Sequence, residues 1–437
     1  MPDVFLPFLI TLATMQDPRI SPADPLHRVL APRDAHVETV ALPPGVPEVD
    51  GDPIHLGTGL YVRTSVDLAL VDTVPVVFSR TYRNADRRSR PFGVGTNHSY
   101  GSFLVGDAPA LTWIDLILPD GGRIHYTRTS GGSGMSNAVF RHTGTPTEYL
   151  NSVLSHDGGV WTIALIDGSS YTYPECPPEL NKACTMSGFR DSRGHWLRFI
   201  HDDRWNLTRI ETENNQWIEL KYDQQDRITL AESSVKQAVR YRYDAAGRLV
   251  SVVDADGGVS TYDYDDRDQM VSIIESGLVV TNRYDDAGRC VHQDLRIQEK
   301  GPDGEIVERH EAFSFVYTTD GTGRIRATDV IRPDGRRRQV TYDVTGYSTS
   351  DSDAQGKSPA TGIAYERQDG TNALERVTVW CGPNRQVRVS TPLTTDDPRR
   401  VARITDMNPY ESQRALRARL QEQCESVLKS FDRGSRR

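Results

Sequence analysis

The sequence predicts an all-β protein of tandem β-hairpin repeats with a C-terminal α-helix. Three observations predict it. Strand-length apolar runs alternate with turn signals from residue 51 onward. A Tyr-Asp unit recurs at nearly constant spacing in the second half of the chain. A helical apolar period occurs only after Asn408.

The chain has 437 residues, 37% hydrophobic and 25% charged, which fits a folded, soluble chain. Its 35 glycines, and 18 tyrosines against 11 phenylalanines, suit short strands joined by tight turns. Residues 1–50 form an N-terminal apolar and Pro-rich segment. The apolar run Val4–Met15 is too short to span a bilayer. It has the length of a secretory leader core, but no Lys or Arg precedes it and no small-x-small site follows. A leader and a buried strand or short helix both remain open. Residues 51–188 read as an antiparallel β domain. Its runs VPVVFSRTY, LTWIDLIL, RIHYTR, WTIALI and SSYTY are separated by PDGG, SGGSG and DGSS.

Residues 189–347 are the repeats. Tyr222-Asp223, Tyr243-Asp244, Tyr264-Asp265 and Tyr284-Asp285 follow one another at steps of 21, 21 and 20 residues. Degenerate units stand at His201-Asp202 to Leu207, Phe315 to Ile325 and Tyr342-Asp343 to Gly346. The unit has a physical logic. Asp244 opens a turn by accepting backbone N–H groups, and Gly247 takes positive φ without a Cβ clash. Asp285 and Gly288 repeat that pair, with Arg248 and Arg289 following the glycines. A β-branched strand, Leu249–Val253, leads to a second turn at Asp254–Gly257. The return strand places Tyr262 and Tyr264 on one face and Thr261 and Asp263 on the other. One repeat is two strands and two turns. A lone hairpin is marginal in water, so the units must stack edge to edge.

Residues 348–407 read as a β-rich, irregular extension, and 408–437 as an amphipathic helix and tail. Asn408 caps, Pro409 takes the first helical position, and Leu416, Leu420, Cys424, Val427, Leu428 and Phe431 form one apolar stripe. The stripe covers either the end of the β array or a partner chain.

The formal charge of −9 argues against nucleic acid as a partner. The basic runs at Arg83, Arg87, Arg88 and Arg90, and at Arg336, Arg337 and Arg338, read as solvated loops. Cys176 and Cys184 flank a short Pro-containing loop and are a candidate disulfide; two ordinary thiols is the equal alternative. No metal or cofactor site is expected: there is no CxxC, P-loop, HExxH or G-x-S-x-G. His195 and His201 are too few to hold an ion and read as half-buried repeat residues. The pairs Asp202-Asp203, Asp265-Asp266 and Asp285-Asp286 recur with the repeat, so turn chemistry explains them without catalysis. The tyrosines offer either cross-strand packing or a carbohydrate-binding face.

The Tyr-Asp-x-x-Gly-Arg-Leu units, best matched at Tyr243 to Leu249, resemble the YD repeats of Rhs proteins, teneurins and insecticidal toxin-complex shell subunits. Upstream, Gly51-Asp52-Pro53, Thr58-Gly59, Asp67-Leu68, Phe78-Ser79-Arg80-Thr81-Tyr82, Phe92-Gly93-Val94-Gly95 and His98-Ser99-Tyr100 resemble the domain preceding the repeats in Rhs polymorphic toxins. Thr96 stands where that family usually has Trp. The resemblance implies a sheet strip spiralling into a hollow shell around a C-terminal toxin. It also implies an Asp-Pro-x-Gly-Leu-type cleavage element, of which only Asp397-Pro398 matches, followed by Arg399-Arg400. The expectation is therefore a non-enzymatic scaffold without its own toxin, encapsulating or presenting a cargo chain in interbacterial competition. A secretion-system component is a further expected partner, and the chain is expected to be cytoplasmic before export through such a system. A second copy of the chain remains an open partner, and stable membrane insertion is not expected. The alternative is an extracellular module binding glycan or a surface protein.

Overall fold

The computed structural model describes residues 49–107, 110–144, 147–176, 183–300, 303–354, 362–367, 374–381, 387–392 and Glu422. The apolar run Val4–Met15, the Pro-rich segment and, Glu422 aside, the expected C-terminal helix lie outside the described residues.

The described chain is all-β. A single antiparallel strip runs from Phe103–Gly106 to Val387–Pro392, and each strand pairs with its neighbours in sequence. A bridge between Phe103 and Thr185 ties the first strand back to the chain before Gly188–Arg190. The opening strands therefore curl round a core of Tyr126, Phe140, Trp161 and Tyr173, all fully buried. The five apolar runs read from the sequence overlap the strands Val76–Arg83, Trp113–Ile117, Arg123–Arg128, Val160–Ala164 and Ser170–Pro174, which differ from them by two residues or fewer at their ends.

Pairing is unbroken at residue 188, because Gly188–Arg190 bonds to Ser170–Pro174 on one side and Trp196–His201 on the other. A break falls earlier. Val49–Asp50, Ile54–His55, Leu60–Leu70, Val76–Arg83 and Thr96–His98 form a separate five-stranded sheet, here called the plug sheet.

The repeat turns follow the sequence logic. Asp244 Oδ1 accepts the Arg248 amide at 2.9 Å and its Oδ2 accepts Arg248 Nε at 2.7 Å. Asp223 and Asp285 hold Arg227 and Arg289 in the same way. Asp202, Asp265, Asp320 and Asp343 close equivalent turns. Gly247 and Gly288 have φ of 85° and 78°, a region that favours glycine.

The tyrosine of each unit does something the sequence did not reveal. Its hydroxyl donates to a backbone carbonyl one repeat earlier. Tyr222 donates to Leu207, Tyr243 to Ile228, Tyr264 to Leu249 and Tyr284 to Met270, at 2.5–2.8 Å. The arginine completes the link, with Arg227 lying 4.5 Å over the Tyr243 ring and Arg248 5.4 Å over Tyr264. Motif residues of one repeat therefore hold the next. In the looser unit, Tyr317 takes this place and donates to Cys290 O at 2.5 Å. It stands two residues before the expected position, which alternation keeps on the same face.

Replacing Tyr264 by Phe should remove one inter-repeat hydrogen bond and lower stability by about 1 kcal/mol. Urea unfolding of Tyr264→Phe beside the parent protein checks this; an unchanged midpoint would count against the clip.

Candidate functional site

The inward face of the strip carries the buried residues Leu207, Ile228, Tyr241, Leu249, Val252, Tyr262, Met270 and Ile273. The plug sheet lies against it. Val76–Arg83 is buried at every position, as expected of a strand covered on both faces.

A β-bulge sets the centre of the contact. In Leu60–Leu70, Val66 opposes Ser79 and Leu68 opposes Phe78, so Asp67 has no cross-strand partner. A bulge re-aims a side chain, and the Asp67 carboxylate reaches both layers. It lies 3.3 Å from Arg80 Nε and accepts the Tyr241 hydroxyl at 2.8 Å. Arg80 Nη1 in turn meets the Tyr262 hydroxyl at 3.1 Å. Burial pushes the Asp67 carboxyl up, and Arg80 and the Tyr241 hydroxyl oppose that only in part. Burial also works against the Arg80 charge, but Asp67 and the facing tyrosines hold its pKa above the ordinary value.

Backbone groups continue the seat. The amides of Ile228 and Cys290 donate to Pro91 O (2.7 Å) and Gly59 O (2.8 Å), and that of Met270 to the Tyr82 hydroxyl (2.8 Å). All three occupy one repeat position, just after the turn. A register shift opposite each leaves that amide available outside the ladder. In the repeat that begins at Tyr243, the Val94 amide instead donates to Gly247 O at 3.1 Å. Asp52 and Gln293 exchange reciprocal bonds through the Asp52 backbone. Thr328 Oγ1 donates to Leu56 O at 2.6 Å.

Two sequence expectations are corrected here. The basic runs are not wholly solvated. Arg83 is 2% exposed at the plug–strip seam, where burial lowers its pKa to about 10. Arg338 is 6% exposed and joins two layers: it binds Asp351 through two nitrogens at 2.9 Å, and Asp50 of the plug sheet at 2.9 Å. The Asp50 partner of Arg338 lies 288 positions away in sequence, and what buries Arg83 is the layer packed over it, so the runs looked like isolated surface charge.

The repeat-motif residues thus come together at successive turns along the strip. Cys176 and Cys184 are disulfide-bonded, with Cα atoms 5.5 Å apart. His195 contacts Asp191 within its own turn, and His201 stacks on Trp205. Tyr241 and Tyr262 are 3% and 4% exposed, so these rings pack against the plug sheet and offer no open platform for a sugar. Asp67, Arg80, Tyr82 and Gly93 stood in the sequence only as parts of the upstream motif; Gln293 carried no signal at all.

Fold and site together define a YD-repeat strip with an N-terminal sheet seated on its inner face. A family model described as RHS Repeat matches residues 243–277, and one described as a domain of unknown function, DUF6531, matches 51–126. The chain is an Rhs/YD-repeat protein carrying that upstream domain. No curated protein matches it in sequence. Similar solved structures include a Photorhabdus luminescens Tc holotoxin pore, at 10% identity and a TM-score of 0.35, covering 77% of this chain and 20% of that one. A TcdB2-TccC3 crystal structure is similar at 9% identity and a TM-score of 0.31, covering 76% and 19%. The N-terminal domain of the effector SpvB from Salmonella typhimurium aligns at 12% identity and a TM-score of 0.15, covering 64% and 99%. The chain spans about a fifth of the length of the first two.

Gly93 has φ of 84°, and a Cβ there would lie 2.4 Å from Gly247 O. Gly93→Ala should therefore unseat the plug sheet locally. Trypsin cleavage at Arg87 and Arg88 should accelerate, while Gly131→Ala, where a Cβ meets nothing within 4 Å, leaves it unchanged.

Asp120 at the same seam is pushed up by burial to about 7, against the opposing Gly122 amide and Arg83. Its folded pKa is above its unfolded one. The folded state thus holds the extra proton between about pH 4 and 7, and stability falls as pH rises through that window. Asp120→Asn should stabilise the protein at pH 8 by up to about 4 kcal/mol and by much less at pH 4. Denaturant midpoints at the two pH values measure this; equal differences at both would contradict it.

Proposed function

We propose that this chain is a toxin-associated scaffold whose strip holds and presents a second polypeptide. One observation carries the reading: the inward face already holds a polypeptide segment remote in sequence. It does so with repeat-position amides and buried tyrosines, joined by side-chain ion pairs across the seam such as Arg338–Asp50 and Arg63–Glu275. The backbone-led part of such binding accepts a chain on conformation more than on sequence. The matches to an RHS Repeat and to DUF6531 support the toxin-associated context. The role is structural and non-catalytic, since the repeated Asp and Arg side chains are engaged in closing turns.

Export is part of the reading. The Cys176–Cys184 disulfide suits an oxidising compartment. No helix among the described residues is long and apolar enough to cross a membrane, which leaves strand-based crossing unaddressed.

Co-expression with the polypeptide encoded immediately downstream tests the proposal. The second chain should co-purify and resist protease until the strip unfolds. A second chain that is digested at the same rate with and without the scaffold would overturn it.

A further inference from the structure

The plug sheet does not cover the whole inward face. The turn between Leu60–Leu70 and Val76–Arg83 bonds Thr212 through Asp72. Tyr100, just past the plug sheet, packs on Phe199 at 4.8 Å. One and two strands beyond Phe199 lie Phe189 and Tyr171. Tyr171 is paired between Ile163 and Phe189, and Phe189 between Tyr171 and Leu197, so their side chains share the inward face. Both rings are half-buried. Tyr149, from the loop before Val153–Asp157, stands 6.1 Å from Tyr171, and Tyr171 stands 5.1 Å from Phe189. Three aromatic rings therefore form a row, and among the described residues no plug ring stacks on it.

Beside this row is an acid. Glu148 is exposed, yet burial by the surrounding protein pushes its carboxyl up to about 7. A carboxyl open to water and still desolvated lies in a recess, not on a convex surface. The Tyr149 hydroxyl, hydrogen-bonded to it, opposes that shift, and the Asp167 carboxylate adds to it. The Glu148 charge in turn raises the pKa values of Tyr126, Tyr149, Tyr171 and Tyr173. The titratable groups around Glu148 are thus phenols and a second carboxylate. Among the described residues no Lys, Arg or His pairs with it. An acid in such a place lacks the counter-ion that a desolvated charge normally has.

We propose that this recess binds a guanidinium or ammonium group, carried by a basic side chain of the polypeptide that the strip holds. Glu148 and Asp167 supply the opposite charge, and an aromatic face attracts a cation within about 6 Å of its centre. The repeats use the same combination: Arg227 lies 4.5 Å over the Tyr243 ring while its Nε donates to Asp223 at 2.8 Å. The recess presents the acid and the rings of that arrangement without an arginine of its own. That the cation belongs to a polypeptide rests on the proposed function; the cation site itself rests on Glu148 and the rings.

Calorimetric titration of the full chain with an acetylated tetra-arginine amide tests this. The peptide does not titrate near neutral pH, whereas Glu148 must ionise to pair with it. Affinity should therefore rise about tenfold between pH 6 and pH 8. Glu148→Gln should remove that rise and weaken binding at pH 8 at least about tenfold. This variant also separates Glu148 from Asp120, which titrates in the same range at the plug–strip seam. Phe189→Leu should weaken binding at both pH values. Glu305→Gln, at an exposed site on a distant hairpin tip, should match the parent, which separates the recess from general negative charge. Circular dichroism confirms that each variant is folded. No binding at millimolar peptide, an affinity independent of pH, or a pH-dependent affinity that survives Glu148→Gln overturns the proposal. So does parental affinity in Phe189→Leu. Binding of butylguanidine without binding of the peptide assigns the recess to small cations and overturns the polypeptide as carrier. A downstream chain that fails to co-purify leaves these titrations unchanged, so the two readings fail separately.

Discussion

A sheet one layer thick buries its apolar face only if a second layer lies against it. The repeat strip has such a face along its whole inward side, from Leu207 to Val340. Most of the structure's detail answers that constraint. The plug sheet supplies the second layer, with Phe78, Tyr82 and Phe92 packed into the same core as Tyr241, Tyr262 and Tyr264. Apolar cover alone would leave the layers free to slide. The Asp67–Arg80 pair, bonded to Tyr241 and Tyr262, fixes their register. A pair this buried is a weak source of net stability, yet losing one partner strands a charge, so it acts as a pin.

The YD motif serves two directions at once. Along the strip, the tyrosine hydroxyl and the arginine plane fasten each repeat to its neighbour. Burial keeps those hydroxyls protonated, pushing the pKa values of Tyr222, Tyr264 and Tyr284 well above the ordinary range. Across the layers, the bulges beside Tyr222, Tyr264 and Tyr284 each turn an amide toward the plug sheet. An irregularity in the ladder is thus the feature that lets the strip bind backbone. This is the physical basis for proposing that the strip holds polypeptide.

The legible part of the fold was its local part. Asp244, Gly247 and Asp254 could be assigned to turns because an Asx-type turn closes within five residues. The strands Leu249–Val253 and Val259–Tyr264 have the limits their alternation predicted. The displaced tyrosine at Tyr317 was not legible, since a two-residue slide preserves its face while erasing the motif. The division within 51–188 was hidden too. Both parts are antiparallel β with similar turn signals, and only pairing partners separate them.

The sequence by itself determined the repeat, its turn chemistry and the facing of each strand, because these depend on residues close together in the chain. Tertiary structure alone decided which layer covers the repeats and how Arg83 and Arg338 are used. Asp50 meets Arg338 across 288 positions, and Tyr241 meets Asp67 across 174. No periodicity reaches that far. The hydroxyls, carboxylates and bulged amides at those positions have ordinary local roles until the curvature of the strip brings the second layer against them.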